Sequence, residues 1–175
     1  MTQLPATVAP EGARLAALLD RAEISELIDR YVMTLDTAEH DERDDDWYRG
    51  IFTDDVRLSF PIGDQQGIAG LAEFQRRAKL AWETTLHVSG NHVIDLDGDR
   101  ATARAHILGT HIARGASPFG VNSAQRFDMG GYYDIEAVRT DVGWRISALT
   151  FFLVWTAGGG TPDGSGPNRG QVNGQ

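Results

Sequence analysis

The chain has 175 residues, 41% of them hydrophobic, which is enough for one domain with a core. A formal net charge of −9 and scattered arginines exclude a nucleic-acid partner and an anionic membrane surface, since both draw their affinity from clustered Lys and Arg. Cysteine is absent, which excludes disulfides, thiolate catalysis and zinc knuckles.

Residues 1–10 read as a flexible leader without the basic and apolar regions of a signal peptide. No apolar run approaches the roughly 20 residues of a membrane span, so a cytoplasmic location is expected. From Glu11, apolar residues recur at three- and four-residue steps (Leu15, Leu18, Leu19, Ile24, Leu27, Ile28, Tyr31, Val32, Leu35), the spacing of a helix. Asp20 followed by Glu23 reads as a capping box opening a second segment of it. A short helix is expected over Asp45–Phe52, and the acidic run Asp41–Asp46 reads as a solvated loop leading into it. Val56, Leu58, Phe60 and Ile62 alternate with Arg57, Ser59 and Pro61, predicting a half-buried strand. Helical spacing returns over Gly67–Trp82.

Beyond that point the period is two. Strands are expected at Leu86–Leu96, Ala101–Ala113, Phe127–Val138 and Trp144–Trp155, with hairpin turns at Asp97-Gly98-Asp99 and Asp141-Val142-Gly143. Residues 157–175 are dominated by Gly, Pro, Ser and Asn and predict a disordered tail. The domain itself is expected over residues 11–156. Its class is α+β: three N-terminal helices packed on a curved, mainly antiparallel sheet that encloses a pocket.

Strand parity sorts the polar residues. Ala103, Ala105, Ile107 and Gly109 share a face with His111, which places His111 inside; Thr102, Arg104, His106 and Thr110 face outward. Tyr133 shares a face with Ile135 and Ala137, opposite Asp134 and Glu136. Asp36 is four residues beyond Val32 and eight beyond Ile28, so it continues the buried stripe of the first helix. An ionised carboxylate there is costly unless paired, and His87, opening the next strand, is the natural partner. Asp36 and His87 then make an acid/base dyad, with His111 as a second acid/base group. Parity alone leaves two other readings open: His111 as a satisfied core residue, and Asp36 as a helix-end residue bonded to nearby backbone.

Several segments together resemble the NTF2-like superfamily, in particular its SnoaL-like and scytalone-dehydratase-like branches. They are Tyr31-Val32-Met33-Thr34-Leu35-Asp36, then Trp47 with Ile51-Phe52-Thr53-Asp54-Asp55-Val56, and Gly70. Thr85-Leu86-His87-Val88-Ser89-Gly90-Asn91, Asp97-Gly98-Asp99-Arg100-Ala101 and Gly143-Trp144-Arg145-Ile146 complete the match, over roughly residues 15–156. The resemblance implies a conical fold around a pocket, and Asp36, His87 and His111 look like the dehydratase's aspartate and two histidines. Where that dehydratase uses two tyrosines to hold a water, this chain has Leu35 and Phe60; its substrate-binding asparagine is replaced near Tyr133 or Tyr132.

The function expected is therefore a cofactor-independent dehydratase, cyclase or isomerase acting on a small hydrophobic or aromatic, polyketide-like molecule. Asp36, His87 and His111 are the catalytic candidates, and Tyr31, Tyr48, Phe60, Trp82, Tyr133 and Phe152 the candidate substrate contacts. No metal is expected, although two histidines and a carboxylate could in principle form a facial triad for iron. An epoxide-opening enzyme would need an Asp–Arg–Asp array that the inward-facing residues do not supply. The alternative from another class is a non-catalytic binding or assembly subunit, whose interior would be filled. The resemblance also implies a homodimer, formed through the outer sheet face around Arg104, His106, Tyr132 and Asp134. Light scattering at micromolar concentration should give twice the chain mass, and a monomer would remove this expectation.

Overall fold

The stripe Ile24, Leu27, Ile28, Tyr31 and Val32 becomes the buried side of one continuous helix, α1 (Glu11–Thr34). It belongs to a computed structural model in which residues 10–36, 43–114 and 125–159 are described. Leu15, Leu18 and Leu19 carry the same periodicity but stand more than half exposed, ahead of the point where α1 reaches the sheet. The expected capping box does not form. Asp20 instead accepts a hydrogen bond from Trp144 Nε1 (3.1 Å) and one from Arg139 (2.7 Å), and Glu23 accepts one from the Trp144 backbone N–H (2.8 Å). Both acids therefore tie α1 to the last strand, around an indole that is wholly buried.

Helix α2 (Asp45–Tyr48) is shorter than its expected span, because Phe52 already belongs to a strand. The acidic residues before and within it are not merely solvated. Asp44 caps α2 by accepting from Trp47 N–H (2.9 Å). Asp45 caps α3 (Leu71–Lys79) from outside, accepting from the N–H groups of Gly70 (2.8 Å) and Ala72 (2.9 Å). Gly67 and Gly70 have φ of 76° and 82°, outside helical geometry, so α3 starts later than its apolar spacing suggests.

Six strands follow: β1 (Phe52–Phe60), β2 (Gly63–Gln66), β3 (Trp82–Asp97), β4 (Arg100–Ala113), β5 (Arg126–Thr140) and β6 (Gly143–Gly158). They form one curved sheet in the order β2-β1-β6-β5-β4-β3, antiparallel except for the β1–β6 pair. The four long strands and both hairpins lie where alternation placed them. β2, with sequence Gly-Asp-Gln-Gln, carries no apolar pattern and is held only by pairing to β1, while Ile62, expected in the first strand, is exposed in the turn between them. The disordered tail expected over residues 157–175 does not begin at 157, because β6 runs on through Gly158; residues 160–175 lie outside the described residues.

Strand parity holds in β4 and β5. Ala101, Ala103, Ala105, Ile107 and Gly109 are buried in turn, and His106 is exposed on the outer face. In β6 it breaks. Ala137 pairs with Ile146 but Glu136 pairs with Ala148, so Ser147 is an extra residue and the inward phase passes from Trp144 and Ile146 to Leu149, Phe151 and Leu153. Phe152 consequently points outward, 42% exposed and stacked on Tyr132 at 5.0 Å.

The core lies between the C-terminal half of α1 and the concave face of the sheet, closed below by Trp144 and the α2 aromatics. Since Glu23 satisfies a backbone N–H beside that indole, Glu23→Ala should destabilise the protein by about 1–3 kcal/mol. Urea unfolding should show this as a lower midpoint at unchanged slope; an unchanged midpoint would mean that α1 does not depend on the contact.

Candidate active site

Where α1 ends, its last turn carries Asp36 onto the sheet. Leu35 keeps helical geometry past Thr34, and Asp36 N–H still reaches back to Met33 O at 3.4 Å, so the four-residue step from Val32 is preserved. The carboxylate meets β3 there. Oδ1 lies 2.7 Å from His87 Nδ1 and accepts from Thr85 Oγ1 at 2.9 Å, while Oδ2 accepts from His87 backbone N–H at 2.6 Å. The two side chains are 13% (Asp36) and 7% (His87) exposed. Burial pushes the Asp36 carboxyl up, but the His87 ring and backbone hydrogen bonds, the His87 charge and Thr85 together hold it below the usual carboxylate value. Asp36 thus stays ionised, and its bond fixes Nδ1 of His87 as the proton-bearing nitrogen. Nε2 is left for the cavity.

The cavity has a volume of about 230 Å³ and lies between α1, α3 and the concave sheet face. Tyr31 of α1, Leu35 just beyond it, Phe60 at the end of β1, and Pro61 and Ile62 of the β1–β2 turn border it, with Phe74, Gln75, Ala78 and Lys79 of α3 opposite. The sheet contributes Trp82, Thr85, His87, His111, Phe127, Met129, Tyr133, Phe151 and Leu153. Asp36 is absent from this wall because it stands behind His87. Phe60 and Phe74 stack at 6.1 Å, and Trp82 stacks on Phe127 at 5.9 Å. Most of the surface is therefore aromatic or aliphatic, and the polar groups in it are few: the Tyr31 and Tyr133 hydroxyls, Gln75, Lys79, Thr85, His87 and His111.

His111 faces inward as parity required. Its ring stands edge-on to His87, with centroids 4.9 Å apart, and is flanked by Trp82 (4.8 Å) and Phe127 (5.7 Å). Desolvation, then the His87 charge, pull its pKa down to about 4 against a partial restoring hydrogen bond to the Phe127 backbone. His111 is neutral at physiological pH, so it serves as a neutral hydrogen-bonding group and not as a second imidazolium. Its Nδ1 is buried without a partner among the described residues.

Of the expected substrate contacts, Tyr31, Phe60, Trp82 and Tyr133 border the cavity. Tyr48 does not. It lies wholly buried under α1, edge-on to Trp47 and stacked on Phe52, where burial raises its pKa to about 12. Phe152 is displaced by the β6 bulge, and Phe151 and Leu153 take the inward places. Three contributors were not anticipated. Thr85 sits two residues before His87 on the same strand face, a signal that period-two reading carries. Gln75 is buried on α3 and donates to the Tyr31 hydroxyl at 3.0 Å. Gly109 pairs directly across from His87, and a Cβ there would lie 2.8 Å from its Cδ2 and 3.0 Å from its Nε2. Since Asp36 pins the other side of the imidazole, glycine at 109 leaves the ring its place. Among the described residues no three His, Asp or Glu side chains come together as a metal site.

Residues 16–150 match the family described as the SnoaL-like domain. No curated protein matches the chain. Among solved structures, the Kfla4162 protein from Kribbella flavida is 31% identical, covers 80% of this chain and 94% of its own, and superposes with a TM-score of 0.68. A proposed scytalone dehydratase from Novosphingobium aromaticivorans shares 19% identity over 81% of this chain and 89% of its own, TM-score 0.66. The hexachlorocyclohexane dehydrochlorinase LinA-type3 from Novosphingobium barchaimii shares 18% over 83% and 93%, TM-score 0.67. These last two establish likeness of fold.

The His111 environment has a measurable consequence. Its folded pKa of about 4 lies below the ordinary 6.5, so between those values the unfolded chain binds a proton that the native state does not. Stability then rises with pH across that window and falls on acidification from about 6.5 to 4. The loss is on the order of 2 kcal/mol after allowing for partial exposure. Urea unfolding at pH 7 and pH 4.5 should show it, and His111→Phe should flatten the dependence; an unchanged slope in that variant would clear His111 of the effect.

Proposed function

The chain belongs to the SnoaL-like domain family, and we propose that within it this protein is a cofactor-independent acid/base enzyme, a dehydratase or cyclase. Its substrate on this reading is a small hydrophobic or aromatic, polyketide-like molecule held in the cavity. The observation that carries the reading is the 2.7 Å Asp36–His87 hydrogen bond at the wall of an aromatic pocket with room for a ligand. A purely structural dyad would have no need of open space in front of Nε2, and a non-catalytic assembly subunit would fill it. Two of the structures it resembles carry names that denote eliminations, the loss of water and of hydrogen chloride.

In a dehydration, His87 Nε2 takes a proton from a carbon beside an electron-withdrawing group, and the freed electron pair forms the double bond as the neighbouring C–O bond breaks. The proton held on His87 then passes to the departing hydroxide, giving water and restoring the neutral imidazole. Asp36 keeps the tautomer that leaves Nε2 basic and balances the imidazolium while it exists. His111, neutral beside it, adds no competing positive charge and can hydrogen-bond the leaving oxygen. A cyclase would use the same deprotonation, with the carbanion attacking a second carbonyl in place of expelling hydroxide.

On this scheme His87→Ala should lower turnover of a bicyclic β-hydroxy ketone, followed by enone absorbance, by ~10²–10⁴. Asp36→Asn should cost a comparable factor while the protein stays folded, and His111→Ala less. Near-native turnover in both Asp36→Asn and His87→Ala would reduce the dyad to a structural feature and remove the proposal.

A further inference from the structure

Two buried phenols on the cavity wall have protons that no described residue accepts. Tyr31 and Tyr133 are 1% and 3% exposed, both border the cavity, and their ring centroids lie 6.3 Å apart. Gln75 Nε2 donates to the Tyr31 oxygen at 3.0 Å, which engages that oxygen as an acceptor and leaves its own proton without an acceptor among the described residues. The Tyr133 hydroxyl makes no hydrogen bond to any described residue; what packs against its ring is Tyr31 on one side and Phe151, at 5.5 Å, on the other. Buried phenol hydroxyls find acceptors in nearly every folded protein. Here the open side is the cavity, so the acceptor belongs to whatever occupies it.

We propose that Tyr31 and Tyr133 form a two-donor oxygen site, with Gln75 as the positioning residue, and that the substrate presents an uncharged carbonyl oxygen to it. The inference rests on the acid/base reading of the same cavity and narrows its substrate class. Burial drives both phenols well above their ordinary pKa, so they remain donors at any physiological pH. A carboxylate or phosphate is disfavoured at this point. The Tyr133 hydroxyl already feels the Asp36 charge, and no arginine lines the cavity. A ketone or aldehyde oxygen avoids that repulsion. When His87 takes the neighbouring C–H proton, the electron pair moves onto the carbonyl oxygen, and the dyad becomes neutral as a whole. Two phenol O–H groups then face an enolate oxygen with no opposing charge, and its collapse expels the leaving group.

Binding of the bicyclic ketone 1-tetralone, against its hydrocarbon counterpart tetralin, tests this through quenching of tryptophan fluorescence. The ketone should bind roughly tenfold more tightly, the scale of one to two net hydrogen bonds. Tyr31→Phe and Tyr133→Phe should each reduce that preference several-fold and together abolish it, leaving tetralin affinity unchanged. Should Tyr31→Phe fail to fold, Tyr133→Phe alone decides. The carbonyl stretch of bound 1-tetralone should lie lower in the native protein than in either variant, with Gln75→Leu between them, a shift that a merely structural glutamine would not produce. Equal affinity for ketone and hydrocarbon, or a preference that survives in the tyrosine variants, overturns the proposal. All arms are repeated in His87→Ala, where binding is read without turnover, so failure of the oxygen site and failure of the acid/base chemistry are told apart.

Discussion

A carboxylate removed from water must find donors, and Asp36 finds three on one strand: the Thr85 hydroxyl, the His87 backbone and the His87 ring. Much else in the molecule follows from that requirement. It fixes where the end of α1 sits on β3, and so the width of the cavity between helix and sheet. It selects one tautomer of His87 and turns the other ring nitrogen toward the space enclosed. It also keeps a negative charge close to that nitrogen, which discourages anionic ligands nearby. Without the imidazole the carboxylate would keep the Thr85 hydroxyl and the residue-87 backbone N–H, whereas without Asp36 the His87 ring N–H would lose its acceptor; the pair is thus a fixed point of the fold and the centre of its proposed chemistry.

Around this pair, room is made by what side chains lack. Gly109 gives His87 its place, and Gly131 gives Phe151 its place, since a Cβ there would stand 2.6 Å from the Phe151 ring. The bulge of β6 at Ser147 does the complementary work by turning Phe151 and Leu153 inward. An aromatic wall built this way is stiff, because its rings lock one another: Trp82 on Phe127, Phe60 on Phe74, Tyr133 on Phe151. The same low-polarity surroundings hold His111 neutral and both cavity phenols protonated. A ligand entering the cavity thus meets oriented dipoles and the free ring nitrogen of His87, the arrangement on which the proposed proton transfer rests.

The anchoring of α1 shows how acids near the sequence surface acquire structural roles. Asp20 and Glu23 have the spacing of a capping box, yet both bond to β6. Asp45 belongs to a run that reads as solvated, yet it caps α3 from 25 residues away. In each case local spacing offered one satisfactory partner and the folded chain offered another that also closed a tertiary contact. Leu15, Leu18 and Leu19 make the opposite point, since their helical periodicity is real but the sheet does not extend far enough to cover them.

Periodicity alone was enough for the class of fold, the helical character of the first segment though not its continuity past Asp20, the four long strands with their turns, and the inward faces of β4 and β5. It was also enough to put Asp36 on a buried stripe, because a helix repeats every 3.6 residues without reference to anything distant; His87 is named as its partner from its place at the opening of the next strand and from the family resemblance. What it could not determine was anything decided by pairing across the sheet. The extra residue at Ser147 has no local signature, yet it moves Phe152 outside and Phe151 inside; β2 exists only because β1 had a free edge; and Gln75 meets Tyr31 only when α3 closes over α1. Tyr48, aromatic and near the cavity in sequence order, was drawn into the core by Phe52 and Trp47. Local repeats fix which face a residue takes within its own element, whereas register and packing between elements, which depend on the whole chain at once, decide what that face meets.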